Sequence, residues 1–224
     1  ITANGEDAAA LVWLENDGTG QFAPAQTLLP ALPSATRALM AADLDGDGDP
    51  DLLIGNDNLF YPGGLFWTAN EGGQFSTLQV IEPVNSGVFV VVDFDGDGDL
   101  DVLQGGLHVG LYENTGEEGE SRFRRGHALA PGPARALVAG DFDGDGDADF
   151  IASHLSYEER NDMLFPYEQD GPGPFRFSTE REIMSFPRYQ GVYQRLISVM
   201  EMADINHDGQ IDVVVGAYLN SDVG

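Results

Sequence analysis

Short apolar runs alternate with turn-forming stretches along the whole chain, and helical periodicity of any length is absent. The alternation itself repeats. An apolar run at 38–42, 88–92, 136–139 and 196–202 leads into an acidic, glycine-bearing loop. A second apolar run follows at 52–54, 102–103, 150–152 and 213–215. A strand carrying an aromatic side chain comes next and ends at a turn. Trp67 precedes Asn70-Glu-Gly-Gly, Tyr112 precedes Asn114-Thr-Gly, and Tyr167 precedes the weaker copy Gln169-Asp-Gly. Phe75, Phe123 and Phe175 open a fourth strand. The pattern predicts an all-β chain of four-stranded antiparallel units, with the acidic loop between first and second strands.

The loops start at residues 43, 93, 141 and 204, a period near 50 that suits the blade of a β-propeller. About four blades fit the 224 residues as a single propeller domain or segment, with half-blades at both termini. At the N-terminal end, Leu11-Val-Trp13-Leu-Glu-Asn16-Asp-Gly repeats the third strand and its turn, and Phe22 opens a fourth. At the other end the pattern stops after a second strand, at Val213–Gly216. Unpaired half-blades leave open β-edges, which folded proteins avoid. Two expectations follow: a segment of a longer propeller, or a small ring closed by pairing the two halves.

The loops carry the candidate chemistry. The first holds Asp43, Asp45, Asp47, Asp49 and Asp51 at offsets 1, 3, 5, 7 and 9. The second holds Asp93, Asp95, Asp97, Asp99 and Asp101, and the third Asp141, Asp143, Asp145, Asp147 and Asp149. The fourth reads Asp204, Asn206, Asp208, Gln210 and Asp212. Like charges this dense repel one another unless a hard cation sits among them. Donors that are all oxygen suit calcium rather than zinc or copper. Offsets 1, 3, 5 and 9 are expected to converge on one ion. Offset 7 is expected to add its backbone carbonyl and turn its side chain to solvent. The glycines at offsets 4 and 6 permit the tight turns. An EF-hand is excluded, because offset 12 holds Ile54, Gln104, Ala152 and Val215 instead of an acid. In the fourth loop Asn206 replaces a carboxylate and His207 stands where Gly46, Gly96 and Gly144 stand elsewhere, which predicts weaker binding. About four calcium ions are expected in all.

Asp-x-Asp-x-Asp-Gly-x-x-Asp on a period near 50, with an aromatic strand and an Asn-Gly turn between copies, resembles the FG-GAP/VCBS repeat. That family includes bacterial surface proteins and the calcium-binding blades of integrin α-subunit propellers. The Gly-Ala-Pro that follows the loop in integrins survives only partly, as Gly216-Ala217-Tyr218 and Gly55-Asn56, so the resemblance is closer to the bacterial branch. It implies a calcium-binding propeller used for extracellular adhesion, protein–protein interaction or assembly. The implied place is the extracellular space or cell surface, with the periplasm as an alternative.

Charge narrows the partners. The chain has 38 acids against 10 bases, a net charge of −28, and 18 of the acids lie in the four loops. Four calcium ions still leave it at −20, which argues against nucleic acid or an anionic membrane as partner. No apolar run approaches the roughly 20 residues of a membrane helix. There is no cysteine, hence no disulfide or thiolate chemistry.

No nucleophile elbow, phosphate loop or dinucleotide fingerprint occurs, so the chain reads as non-catalytic. His108, His127, His154 and His207 lack metal-ligand spacing to one another and read as surface or loop residues. Trp13 and Trp67 occupy equivalent places in the repeat and are expected in the core, with sugar stacking as the alternative. Arg122, Arg124 and Arg125 form the basic cluster, read as a solvated turn or a contact for an acidic partner. The long links 153–174 and 184–193 are where a ligand site is expected, at Tyr157, Arg160, Arg188 and Tyr189. The partner would be a protein or a glycan, with the chain acting alone or as a subunit of a larger surface complex. The alternative function is a lectin, or the propeller part of a secreted carbohydrate-active enzyme.

Overall fold

The computed structural model describes residues 9–32, 36–56, 63–83, 87–117, 122–156, 161–169, 177–178, 183–185 and 194–220, and every regular element among them is a β-strand. The chain forms two compact units, residues 1–87 and 88–224.

In the first unit β1 (Ala9–Trp13) pairs antiparallel with β2 (Gln26–Leu32). A four-stranded antiparallel sheet then starts with β3 (Thr36–Ala42), β4 (Asp51–Asn56) and β5 (Gly64–Thr68). A small hairpin of β6 (Asn70–Glu71) and β7 (Gln74–Phe75) intervenes before β8 (Gln79–Glu82) returns to pair with β5.

The second unit repeats this order. β9 (Phe89–Val92), β10 (Asp101–Gln104), β11 (His108–Asn114) and β12 (Phe123–Pro131) form another four-stranded antiparallel sheet. The next sheet has β13 (Ala134–Gly140), β14 (Asp149–Ser156) and β15 (Asn161–Gln169), with the short β16 (Phe177–Ser178) and β17 (Met184–Ser185) both paired to β15. A hairpin of β18 (Gln194–Ala203) and β19 (Asp212–Asn220) completes the unit. Within this unit β13 packs against both β9 and β18, so the first strands of its three sheets are neighbours.

The middle strands are apolar on both faces because both faces are covered. In β4, Leu53 and Ile54 are fully buried although they point to opposite sides. In the second unit Phe94, Leu103, Val109, Leu111, Phe150 and Tyr167 form one cluster, and Val138, Ile151, Leu164, Ile197 and Met200 another. Burial of each such side chain contributes about 1.5–3 kcal/mol. The Phe150 ring stacks on Tyr167 at 4.4 Å and lies 6.3 Å from Phe94. Phe94 follows the first residue of its acidic loop, so the core reaches directly under the loop.

Trp67 is in the core, 4% exposed, as its place in the repeat predicts. Trp13 departs from that expectation at 44% exposed. Trp67 lies on β5 between β4 and β8, whereas β1 has β2 as its one strand neighbour among the described residues. Equivalent sequence positions thus have unequal surroundings. Part of the expected 153–174 insert is strand, since β14 and β15 form a long hairpin. Tyr157, Arg160, Arg188, Tyr189 and Phe175 lie outside the described residues.

Candidate metal centre

Each acidic loop joins the first strand of a sheet to the second, and its own carboxylates fold it. Asp43 Oδ1 accepts a hydrogen bond from Gly46 N at 2.9 Å and its Oδ2 accepts one from Gly48 N at 3.0 Å. Asp45 then accepts from Asp47 N, and Asp47 from Asp49 N. The second and third loops repeat these bonds on Asp93, Asp95, Asp97 and on Asp141, Asp143, Asp145. The geometry needs left-handed backbone at offsets 4 and 6, where Gly46 and Gly48 have φ of +75° and +93°.

The residue at offset 9 belongs to the loop, to the second strand and to the end of the third. Asp51 Oδ2 accepts from Leu44 N at 3.0 Å, while its Oδ1 accepts from Asn70 N at 2.8 Å, beyond β5. Asp101 does the same with Phe94 N and Asn114 N, and Asp149 with Phe142 N and Gln169 N. The Asn side chains return the tie: Asn70 Nδ2 donates to Pro50 O and Asn114 Nδ2 to Leu100 O. Sequence reasoning read Asn70 and Asn114 as turn residues and missed this second task.

Three carboxylates of each of these loops face one point. Oxygen atoms of Asp43, Asp45 and Asp51 lie within 4.8 Å of one another, as do those of Asp93, Asp95 and Asp101, and of Asp141, Asp143 and Asp149. These are offsets 1, 3 and 9. Asp47, Asp97 and Asp145, at offset 5, are not among these groups, but their charges help raise the pKa of the offset-9 carboxyls. Oxygens so spaced can all reach one ion at about 2.3–2.6 Å, the distance calcium takes. These clusters could hold a metal ion, and their oxygen-only donors fit a hard one. In the first loop offset 7 differs from expectation. The Asp49 side chain does not turn to solvent: its Oδ2 accepts from Gly72 N at 2.7 Å, fastening the loop to the β6–β7 turn.

Burial makes these charges costly. Asp51, Asp101 and Asp149 are 0%, 0% and 2% exposed. Loss of solvent pushes their carboxyls above the ordinary range, against the downward pull of their two N–H donors, and the neighbouring carboxylates add to the rise. Asp101 is pushed up to about 6. Asp95 is raised too, again chiefly by burial. A cation at the shared point would oppose these shifts, because its charge favours the ionised carboxylates.

The fourth loop is built differently. Asp212 Oδ2 accepts from Ile205 N at 3.0 Å, as the offset-9 aspartates of the other loops accept from their offset-2 N–H groups. Asn206 contributes an amide oxygen and spends its Nδ2 on Asp208 Oδ2 at 3.0 Å. His207 takes the left-handed place at φ +62°. The residue at offset 2, buried as Leu44 and Phe94, is 60% exposed as Ile205.

The other candidates lie apart from the loops' shared points. His154 Nε2 meets the Tyr167 hydroxyl at 2.8 Å in a half-buried pair, where burial lowers the imidazole's pKa and raises the phenol's. Arg124 pairs with Glu113 across β11 and β12, and Arg122 is buried rather than solvated.

Residues 1–54 match the family described as the FG-GAP-like repeat, and residues 35–76 match the FG-GAP repeat. No curated protein sequence matches the chain. Among solved structures, the chain is similar to a lectin of Agrocybe aegerita described by its specific recognition of non-reducing terminal N-acetylglucosamine. The similarity has a TM-score of 0.53 at 17% identity and covers 93% of this chain but 56% of the lectin chain. At that identity the likeness is one of fold, and the chain spans little more than half of the lectin's length.

Proposed function

We propose that this FG-GAP repeat protein is a calcium-loaded, non-catalytic recognition module whose sheets are the four-stranded blades of a β-propeller. One observation carries the reading. The same three carboxylates, at offsets 1, 3 and 9, come together in three successive loops, and in each the third is a buried residue of the sheet. Calcium supplies the positive charge those groups call for. It would be held by Asp43, Asp45 and Asp51 in the first loop, with Asp47 and the Asp49 carbonyl completing the shell, and by the corresponding residues in the second and third. The smaller magnesium ion, which needs near-ideal octahedral geometry at about 2.0–2.1 Å, suits these flexible loops less well. The module would work outside the cell, where free calcium is high, in adhesion or assembly. Its partner would be a protein or glycan engaged by loops between strands.

The lectin likeness supports a second reading, glycan binding, with the half-exposed Trp13 as a stacking surface. Calorimetry on metal-stripped protein tests the calcium reading. Three tight calcium sites and little competition by magnesium are expected, and no heat of calcium binding would defeat it. A glycan array probed with wild type and Trp13→Ala separates the two recognition readings.

A further inference from the structure

We propose that His154 and Tyr167 form a proton-sensitive clasp across β14 and β15, closed while the imidazole is neutral and opened when it gains a charge. The inference needs no ion in the acidic loops and stands apart from the calcium reading.

Both side chains lie on one face of their sheet. Phe150, Ala152 and His154 alternate along β14, opposite Tyr167, Phe165 and Met163 of β15. Ala152, fully buried, stands between Phe150 and His154. Its small side chain leaves room for Tyr167 and His154 to lean together, and Nε2 meets the hydroxyl at 2.8 Å. Tyr167 is buried and stacks on Phe150 at 4.4 Å, so the clasp extends the core. The imidazole lies 5.8 Å from the Phe165 and Tyr167 rings alike.

The other ring nitrogen decides how the clasp works. His154 Nδ1 is buried and has no hydrogen-bond partner. The main chain at Pro133, in the β12–β13 turn, is near enough to favour a proton on the ring, though not in hydrogen-bond geometry. The neutral ring therefore keeps its proton on Nδ1, and Nε2 accepts from the Tyr167 hydroxyl. A second proton must go to Nε2, which removes the acceptor. The contact could then survive only in reverse, with the phenolic hydrogen left unpaired in a buried place.

Among the described residues no carboxylate faces the imidazole to offset its charge. On β15 the titratable group that faces it is Tyr167. β13 presents Ala134, and the β12–β13 turn presents Gly132 and Pro133. The β10–β11 turn, bonded to Ala134 N through Gly106 O, leads to His108, whose ring lies over Gly110. Arg135 and Glu168, the nearest charges in sequence on β13 and β15, are exposed. Burial thus lowers the imidazole's pKa without an ionic partner to raise it. The position is peculiar to this sheet: Asn56 and Gly106, at the same offset in the first two sheets, do not titrate.

The unfolded chain takes up the proton near pH 6.5, the folded chain only below it. The clasp's contribution to stability is complete above about 6.5 and is lost as pH falls through the folded value. The buried aspartates at offset 9 act in the opposite sense when metal-free, so the clasp is read as a difference between proteins.

Ring-nitrogen NMR spectra, assigned through the backbone, are followed in calcium chloride from about pH 8 to 5. The neutral His154 ring should carry its proton on Nδ1 and titrate below the value found for the same chain in urea. Tyr167→Phe removes the donor to Nε2 and should move that titration upward. Amide protection over 149–156 and 161–169, corrected for intrinsic exchange, should fall on acidification. The fall should be about tenfold for each unit between the folded and unfolded values. It should vanish in His154→Gln, while protection over 51–56 and 64–68 responds alike in both proteins. A His154 titration at or above the unfolded value would overturn the proposal. So would a titration unmoved by Tyr167→Phe, or a fall in protection that His154→Gln retains. Should His154→Gln not fold, the titrations of wild type and Tyr167→Phe decide alone.

Discussion

The buried aspartates at offset 9 make the sign of the pH dependence a test of the metal. In the metal-free protein Asp101 is fully buried and its carboxyl is pushed from 3.8 up to about 6. Between those values the folded state binds a proton that the unfolded state has released. Stability is then highest below about pH 4 and is lost as pH rises through about 6. The cost of ionising this one group at neutral pH is about 2–3 kcal/mol, the lower end allowing for water at the loop's open side. Asp51 and Asp149 are raised in the same direction by the same cause, so they add to the slope.

With calcium present the sign reverses. The ion binds the ionised carboxylates, and at about 100 times its Kd each site adds roughly 2.7 kcal/mol. Protons compete with it, so that stability grows as pH rises through the same window. Thermal melts of metal-stripped protein from pH 4 to 8, with and without millimolar calcium chloride, should therefore slope in opposite directions. For a chain of this size Asp101 alone is worth about 4–12 °C. Asp101→Asn has nothing to titrate there and should reduce the metal-free slope, leaving the part due to Asp51 and Asp149. A metal-free melting temperature that rises from pH 4.5 to 7 would refute the reasoning.

Two further outcomes separate neighbouring residues. Asp47→Ala should weaken calcium binding, because the offset-5 charge is felt at the offset-9 carboxyl. Asp49→Ala should leave affinity nearly unchanged but lower metal-free stability by about 1 kcal/mol, through loss of its bond to Gly72 N. Calorimetry and urea denaturation read the two effects, and the opposite assignment would sink this geometry. Gly46→Ala should cost about 1–2 kcal/mol from backbone alone, since a Cβ there meets no atom within 4 Å but φ is +75°. Gly64→Ala should cost more in the same denaturation series, because its Cβ would lie 2.7 Å from the Phe66 ring and 2.9 Å from Glu82 O. Equal costs at the two glycines would count against the packing of β5 on β8.

The all-β character and the place of each acidic loop were legible because they are local. A strand announces itself within a few residues, and alternate carboxylates sit within nine. What escaped the sequence is what depends on neighbours. Trp13 and Trp67 occupy the same step of the repeat, yet one is exposed and the other buried, because burial is decided by strands that flank them in space. Asp49 was expected to face water because offset 7 was assigned to ligate through its backbone carbonyl; the partner its side chain takes instead, Gly72, is 23 residues away. The bonds from the offset-9 aspartates to the end of the third strand span 19, 13 and 20 residues. Links of such unequal length leave no motif, although they form the same structure each time.

Those links also explain why the loop aspartates are more than a pool of negative charge. Asp51, Asp101 and Asp149 face the loop's shared point while their oxygens take main-chain donors from two strands' ends, so the site is largely shaped by the sheet. Shape set in advance lowers the ordering cost of binding an ion. If a cation fills the site, its removal would leave a buried charge on the sheet without that compensation. Loop and sheet therefore stabilise each other through one residue, and the nine-residue pattern recurs at the joint between first and second strands because that joint is where the third strand's turn can reach it.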